Sequence, residues 1–240
     1  MKAMILAAGL GTRLQPLTND RPKALVEING VSLLEHIIRR LKSFGFREIV
    51  INIHHFPDQI IKFLESKSNF GIDIKISDER QKPLDTGGGL KKAAGLLQSP
   101  EPILVHNVDV LSQIPLQSLI VEHHISGALA TLTVSRRESN RYLIFNQDNQ
   151  LIGWQNMKTG KIRGKTSDKK KDKKLAFSGI QVISPKILQL LPDKEVFSLI
   201  DLYLNLCQHY NIRAYEHEAQ QFLDVGKPEQ LAKAEKFLRK

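Results

Sequence analysis

The stretch Met4-Ile-Leu-Ala-Ala-Gly-Leu-Gly-Thr-Arg-Leu-Gln-Pro-Leu-Thr18 runs from a hydrophobic segment into small residues and then presents an arginine. Lys2 to Leu6 reads as a buried first strand, since the apolar run ends at Gly9 and is too short for the core of a secretory leader. Open α/β sheets bind ligands beyond the carboxyl ends of their strands, which is where residues 8 to 14 then lie. Ala7, Ala8, Gly9 and Gly11 remove side-chain bulk, so backbone N–H groups can turn toward one anion. Arg13 adds a planar, permanently charged fork suited to phosphate oxygens. Two familiar phosphate motifs are missing: G-x-G-x-x-G fails at Leu14, and no G-x-x-x-x-G-K-[ST] occurs. Spacing alone leaves a tight structural turn and a phosphate loop both open.

Working outward, strand-like and helix-like segments alternate, the pattern of a mainly parallel sheet covered by helices. Ser32 to Glu35 forms a capping box, and Leu33, Leu34, Ile37, Ile38, Leu41 and Phe44 recur at helical spacing until Gly45. Strands are expected at Glu48 to Ile53, Ile72 to Ile76 and Ile103 to Val105, and helices near Asp58 to Ser66 and over Gly88 to Leu97. From about residue 128 the pattern changes. Ala130 to Val134, Tyr142 to Phe145 and Leu151 to Gln155 read as a small antiparallel addition, with a turn at Asp148-Asn149. Leu175 to Ile183 returns to a strand, and Ser198 to His209 and Glu229 to Leu238 read as helices. One domain over 1–240, with an inserted Lys-rich loop, is expected.

The chain has 240 residues, 41% of them hydrophobic and 25% charged, which is ordinary for a soluble globular protein. No apolar run approaches the roughly 18 residues of a membrane span. Cys207 is the single cysteine, which excludes an intramolecular disulfide and fits a reducing cytoplasm. The formal charge of +10 comes mostly from residues 158–174, where nine Lys/Arg face two Asp, a local +7. A short run of like charge reads as a solvated, mobile loop, with binding of an anionic substrate or surface as the alternative. His54-His55 and His123-His124 read as surface or cap residues, because neighbouring side chains on a strand point to opposite faces and cannot chelate together.

Leu6-Ala-Ala-Gly-Leu-Gly-Thr-Arg13, followed by Pro16-Leu17-Thr18 and Pro22-Lys23, resembles the signature of the sugar-1-phosphate nucleotidylyltransferases. Later motifs follow in order: Pro83 to Gly89, the strand ending at Asp109, Phe177-Ser178-Gly179, and Leu223-Asp224-Val225-Gly226. The Asp-Thr-Gly-Gly-Gly segment and the short length are most similar to the N-acetylmuramate 1-phosphate uridylyltransferase branch. The mannose- and heptose-phosphate guanylyltransferases share the same motifs.

The resemblance implies a Rossmann-like α/β fold of the GT-A type. It also implies Mg²⁺-dependent attack by a sugar-phosphate oxygen on the α-phosphorus of a nucleoside triphosphate, with pyrophosphate leaving. Ala8, Gly9, Gly11 and Thr12 would then cradle the triphosphate, Arg13 would hold its pyrophosphate end, and Lys23 would reach the α-phosphate. Thr86, Gly87 and Gly88, preceding a helix, would meet the base and ribose, with Gln81 helping to read the base. Asn107 and Gly179 would lie beside the sugar phosphate, although a strand glycine equally marks a bulge. Asp109 and Asp224 would hold the metal, since magnesium takes few protein carboxylates together with phosphate oxygens.

Three departures qualify the resemblance. Val108 stands where the family usually has glycine, Lys227 follows Asp224-Val225-Gly226 in place of threonine, and no Glu-Lys-Pro sugar-phosphate motif lies between 145 and 180. A lysine of 158–174 would have to supply that last charge. The competing expectations are a phosphocholine cytidylyltransferase, a nucleotide-sugar-binding module that has lost catalysis, and nucleic-acid binding through the Lys-rich segment. The sequence gives no basis for an oligomeric state.

Overall fold

The apolar segment at the N-terminus is strand β1 (Lys2–Leu6), and in the computed structural model, which describes residues 1–165 and 171–239, both its faces are covered. A hairpin, β2 (Glu27–Ile28) and β3 (Val31–Ser32), leads into α1 (Leu33–Ser43). Then β4 (Glu48–Ile53), α2 (Pro57–Ser66), β5 (Asp73–Asp78), α3 (Asp85–Ala93) and β6 (Ile103–Asn107) continue the alternation. Next come β7 (Val110–Ser112), α4 (Leu116–Ser126), β8 (Ala130–Ser135), β9 (Arg141–Phe145), β10 (Leu151–Asn156), β11 (Ile162–Gly164) and β12 (Lys173–Ile183). α5 (Leu199–Leu206), β13 (Ile212–Glu216), β14 (Phe222–Asp224) and α6 (Pro228–Leu238) come last.

β1 lies between β4 and β6 and is parallel to both, so its side chains divide between two core layers. Met4 and Leu6 join Leu90, Leu132 and Phe145 on one face, while Ala3, Ile5 and Ala7 join Ile37, Ile60 and Leu119 on the other. The sheet runs β11-β10-β9-β12-β6-β1-β4-β5, with β8 on β12 and β13 on β8. β12 makes this possible. Its first residues pair antiparallel with β9 and its last with β6, and between them the register against β8 shifts at Phe177–Gln181, where Gly179 takes φ +73°. The strands after residue 128 thus join the central sheet and extend a mainly parallel core with antiparallel neighbours.

A smaller core ties the two ends of the chain together. Val26, Ile28 and Leu33 pack with Leu111, Val225 and Ala234, while β14 pairs antiparallel with β7. This packing carries Asp224 to the mouth of β6, where the first loop also lies.

Several expectations change. Only half of the capping box forms: Ser32 Oγ accepts from Glu35 N at 3.2 Å, and the Glu35 carboxylate turns to Arg39 and Lys67 instead. α3 starts at Asp85, three residues before the expected Gly88, and ends at Ala93. Helix α4 was not expected, because its apolar residues form no single stripe: Leu116 and Leu119 are buried while Val121 and Ile125 face solvent. His123 and His124 therefore lie on a helix, and His123 is buried against Thr131 Oγ1 at 2.9 Å. His54 follows β4, with Nδ1 2.8 Å from Glu79 O. The Lys-rich segment is not solely a loop. β11 pairs within it against β10, and residues 166–170 lie outside the described residues.

Candidate active site

At the end of β1 the chain turns through Gly11 at φ +69°, and Thr18 Oγ1 donates to Gly11 O at 2.9 Å, closing the loop on itself. A Cβ on Gly11 would stand 3.0 Å from Thr18 Cγ2 and 3.2 Å from Lys23 Cβ, so the bend is packed directly against the segment that carries the lysine. Pro22 enters the short turn Lys23–Leu25 in extended conformation, and Lys23 is only 8% exposed. Its ammonium makes a short ion pair with Asp109 Oδ2.

The second carboxylate arrives through backbone pairing. Val225 N donates to Asp109 O at 2.9 Å, and Gly226 N donates to Asp224 Oδ1 at 2.7 Å. Gly226 is the centre of this corner: a Cβ there would meet Asp224 Oδ1 at 2.7 Å, Arg13 Nη2 at 3.0 Å and Lys23 Nζ at 3.3 Å. Four residues far apart in sequence thus converge on one point, two anionic and two cationic. Asp109 and Asp224 offer hard oxygen donors suited to magnesium, and the contact of Lys23 with Asp109 shows that the carboxylate already faces a cation there. Among the described residues no group of three or more His, Cys, Asp or Glu is placed to hold a metal ion together.

A cavity of about 280 Å³ opens beside this corner, lined by Ala8, Gly9, Lys23, Asn52, Glu79, Leu84, Thr86, Asn107, Val108 and Asp109 among others. Its floor is a buried polar chain. Glu79 Oε1 accepts from Asn52 Nδ2 at 2.7 Å, and Asn52 Oδ1 accepts from Ala7 N at 2.7 Å, which fixes the backbone where the loop begins. Burial pushes the Glu79 carboxyl up, partly offset by its hydrogen bond from Asn52. Gly89 gives this chain room, since a Cβ would lie 2.7 Å from Asn52 Nδ2.

A larger cleft of about 1040 Å³ adjoins, sharing Asp85 with the cavity and lined by Arg13, Arg137, Tyr142, Trp154, Lys158, Arg163, Asp224 and Lys227 among others. Arg163 makes a short ion pair with Asp201 across it. Burial raises the Asp201 pKa, but the hydrogen bonds from Arg163 and Ser198 outweigh it and hold the carboxyl below its usual range.

Most of the expected residues gather here. Ala8, Gly9, Lys23, Thr86, Asn107 and Asp109 line the cavity, and Arg13 and Asp224 line the cleft. Gly11 shapes the loop from behind, and Thr12 is exposed on it. Gly179 marks a bulge and also abuts the site, its absent Cβ 3.0 Å from Asn107 Nδ2. Gln81 is exposed and stands outside the cavity wall.

Gly87 and Gly88 do not precede the helix but form its first turn, and both donate to Phe197 O, at 2.8 and 3.1 Å. A Cβ on Gly88 would lie 2.2 Å from Glu195 O. These glycines therefore serve close packing, and Thr86 and Asp85 take the cavity edge. Val108 is buried in the sheet's core layer while touching the cavity. Among the lysines of 158–174, Lys158 at the end of β10 lines the cleft. Asn52, Glu79 and Arg137 are not among the residues the sequence singles out, and Gly226 enters there only within the Leu223–Gly226 motif. Asn52 had a signal, a polar residue inside the apolar strand Glu-Ile-Val-Ile-Asn-Ile.

A loop of small residues at the end of β1, braced from below and faced by paired charges, lies at the carboxyl ends of the strands, and the chain is a nucleotidyltransferase. The nucleotidyl transferase family model matches residues 2–240, and the chain belongs to that family. N-acetylmuramate alpha-1-phosphate uridylyltransferase from Caulobacter vibrioides is 34% identical over 244 residues, covering 97% of this chain and 95% of that one. Mannose-1-phosphate guanylyltransferase catalytic subunit beta from Dictyostelium discoideum is 28% identical over 95% of this chain, which spans 62% of that protein. The fold is also that of HddC from Yersinia pseudotuberculosis, solved in complex with GMP-PN, with a TM-score of 0.77, 22% identity and 99% of both chains covered. No helix among the described residues is long and apolar enough to cross a membrane.

Proposed function

We propose that this chain joins UTP to N-acetylmuramate 1-phosphate, giving the UDP-sugar and pyrophosphate, as the name of its Caulobacter relative suggests. The observation that carries the chemistry is the convergence of Arg13, Lys23, Asp109 and Asp224 around Gly226. An oxygen of the sugar phosphate attacks the α-phosphorus, the bond to the β-phosphate oxygen breaks, and pyrophosphate leaves with that electron pair. No protein nucleophile is needed, so the residues act by alignment and charge neutralisation.

Ala8 and Gly9 offer backbone to the triphosphate. Space beside Gly9 is open, with nothing within 4 Å of a Cβ there, so small size at that position leaves room for a ligand. Arg13 holds the departing pyrophosphate and Lys23 neutralises the α-phosphate. Asn107, and Gly179 behind it, position the acceptor's phosphate. Asp109 and Asp224 would hold Mg²⁺, which when bound supplies charge neutralisation between the two substrates' phosphates. Neither nucleic acid nor a membrane is required as a partner, and a cytoplasmic location suits such substrates.

A second reading, guanylyl transfer to mannose 1-phosphate, draws on a 140-residue segment that is 39% identical to mannose-1-phosphate guanyltransferase of Gibberella zeae. The test is pyrophosphate release with Mg²⁺, crossing UTP, GTP, CTP, ATP and dTTP with N-acetylmuramate, N-acetylglucosamine, mannose, glucose and heptose 1-phosphates and with phosphocholine. UTP with N-acetylmuramate 1-phosphate as the best pair sustains the first reading. GTP with mannose 1-phosphate replaces it by the second, and triphosphate binding without any pyrophosphate release points to a non-catalytic module.

A further inference from the structure

Arg137 follows β8, and its guanidinium is held from two sides. Nη2 donates to Phe177 O at 2.7 Å, and the group lies over the Phe222 ring, 4.7 Å from its centre. These contacts fix the plane of the fork. Its Nε is buried and has no hydrogen-bond partner, and no carboxylate forms a salt bridge with it among the described residues. Two other cations of the same cleft are matched, Arg163 by Asp201 and Lys227 by Glu229 at 3.7 Å. Burial pushes the pKa of Arg137 down, while Asp224 nearby favours its charge. A partly buried guanidinium to which no carboxylate is directly bonded is unfavourable, so a ligand that brings one completes it.

The position of Arg137 indicates which anion. On the reading above, Arg13 and Lys23, which meet at the Gly226 corner, are taken by the phosphates. Phe222, beneath Arg137, and Asp224, at the corner, share a face of β14 two residues apart, about 7 Å along a strand. That separation is comparable to a hexose ring, and the aromatic residues Trp154 and Tyr142 line the same cleft. A planar, pre-oriented fork suits a carboxylate.

We propose that Arg137 is a specificity-determining residue that binds a carboxylate carried by the acceptor sugar itself, so that the preferred acceptor is an acidic sugar 1-phosphate. The inference rests on the sugar-1-phosphate reading above. N-acetylmuramate 1-phosphate meets it through its lactyl group, and N-acetylglucosamine 1-phosphate is the same sugar without that group.

The test compares N-acetylmuramate 1-phosphate, its lactyl methyl ester and N-acetylglucosamine 1-phosphate, using the unaltered protein, Arg137→Met and Arg137→Lys. In the unaltered enzyme the acid should exceed the ester about 30-fold in kcat/KM, mostly through KM, as a partly buried charge-assisted pair predicts. In Arg137→Met the ratio should collapse to about 3-fold or less, with Arg137→Lys between, since lysine keeps the charge and loses the fork. A merely structural role would lower all three acceptors alike and leave the ratio unchanged, which overturns the proposal. So does an unaltered enzyme that treats acid and ester equally, which leaves the parent reading standing, or one that accepts only neutral sugars, which also removes N-acetylmuramate 1-phosphate as the acceptor while nucleotidyl transfer to a sugar 1-phosphate survives. No pyrophosphate release by the unaltered enzyme with any sugar 1-phosphate overturns both.

Discussion

The corner around Gly226 and the cleft beside it are both lined with charge, yet they are built in opposite ways. In the corner, backbone pairing places the groups: β14 on β7, Val225 N on Asp109 O, and the loop's Gly11 against Lys23. In the cleft, long side chains such as Arg137, Lys158 and Arg163 reach in from β-strands and their connections. The corner tolerates no added atom, while the cleft can change its lining without moving the chain. On the proposed function, chemistry common to many substrates belongs in the first kind of site, and choice among acceptors in the second.

The largest effect that would sharpen this contrast is loss of the Lys23–Asp109 pair. Lys23→Ala should lower kcat by about 1000-fold, the scale of removing a charge-stabilising group from a phosphoryl-transfer site. Asp109→Ala should do the same, with far-UV circular dichroism unchanged. Near-normal turnover in either variant removes that residue from the reacting centre. Next, Gly226→Ala inserts a methyl group 2.7 Å from where Asp224 Oδ1 now lies, and should cost about 100-fold in turnover through misplacement alone. If Gly226→Ala turns over normally, the corner is slack and the comparison fails.

A smaller effect concerns the floor beneath the corner. His106, on β6 one residue before Asn107, is fully buried with Nδ1–H donating to Asn107 O, and burial, reinforced by Arg40, holds its pKa down at about 3. The unfolded chain binds a proton there near pH 6.5 that the folded chain refuses. Stability is therefore complete above that pH and is lost as pH falls toward the folded value. Urea denaturation at pH 7.5 and pH 5 should show a loss of about 1 to 2 kcal/mol from this residue, at about 1.4 kcal/mol per pH unit. His106→Gln should flatten the slope, and an unchanged slope assigns the acid sensitivity elsewhere, to His123, held by burial at about 4, or to His217, which burial also pushes down.

Legibility in the sequence followed the range of the interactions. The first loop, with Arg13 and Lys23, could be read because strand, bend and charged residues lie within about twenty positions, and Asp109 because an apolar strand ends beside it. The parallel half of the sheet was legible for the same reason: β1, β4 and β6 are continuous apolar runs. β7, β14 and the strands of the β2–β3 hairpin are two or three residues long, too short to show a period, and they form only because partners from elsewhere hold them. Gly87 and Gly88 suggested a nucleotide-facing turn, yet their amides belong to Phe197, 110 or so positions away in the chain and invisible to local pattern.

The sequence by itself determined a mainly parallel α/β sheet whose first strand ends in a bend of small residues followed by fixed charge, since apolar runs, glycine and charge act over a few residues. Tertiary structure alone decided that Asp224 and Gly226 would meet Arg13 and Lys23, and that Arg137 would lie over Phe222 with its Nε unpaired. Those contacts join the two ends of the chain through the small core of Val26, Leu111, Val225 and Ala234 and through the bulge at Gly179. They depend on the packing of distant segments, which no local spacing records.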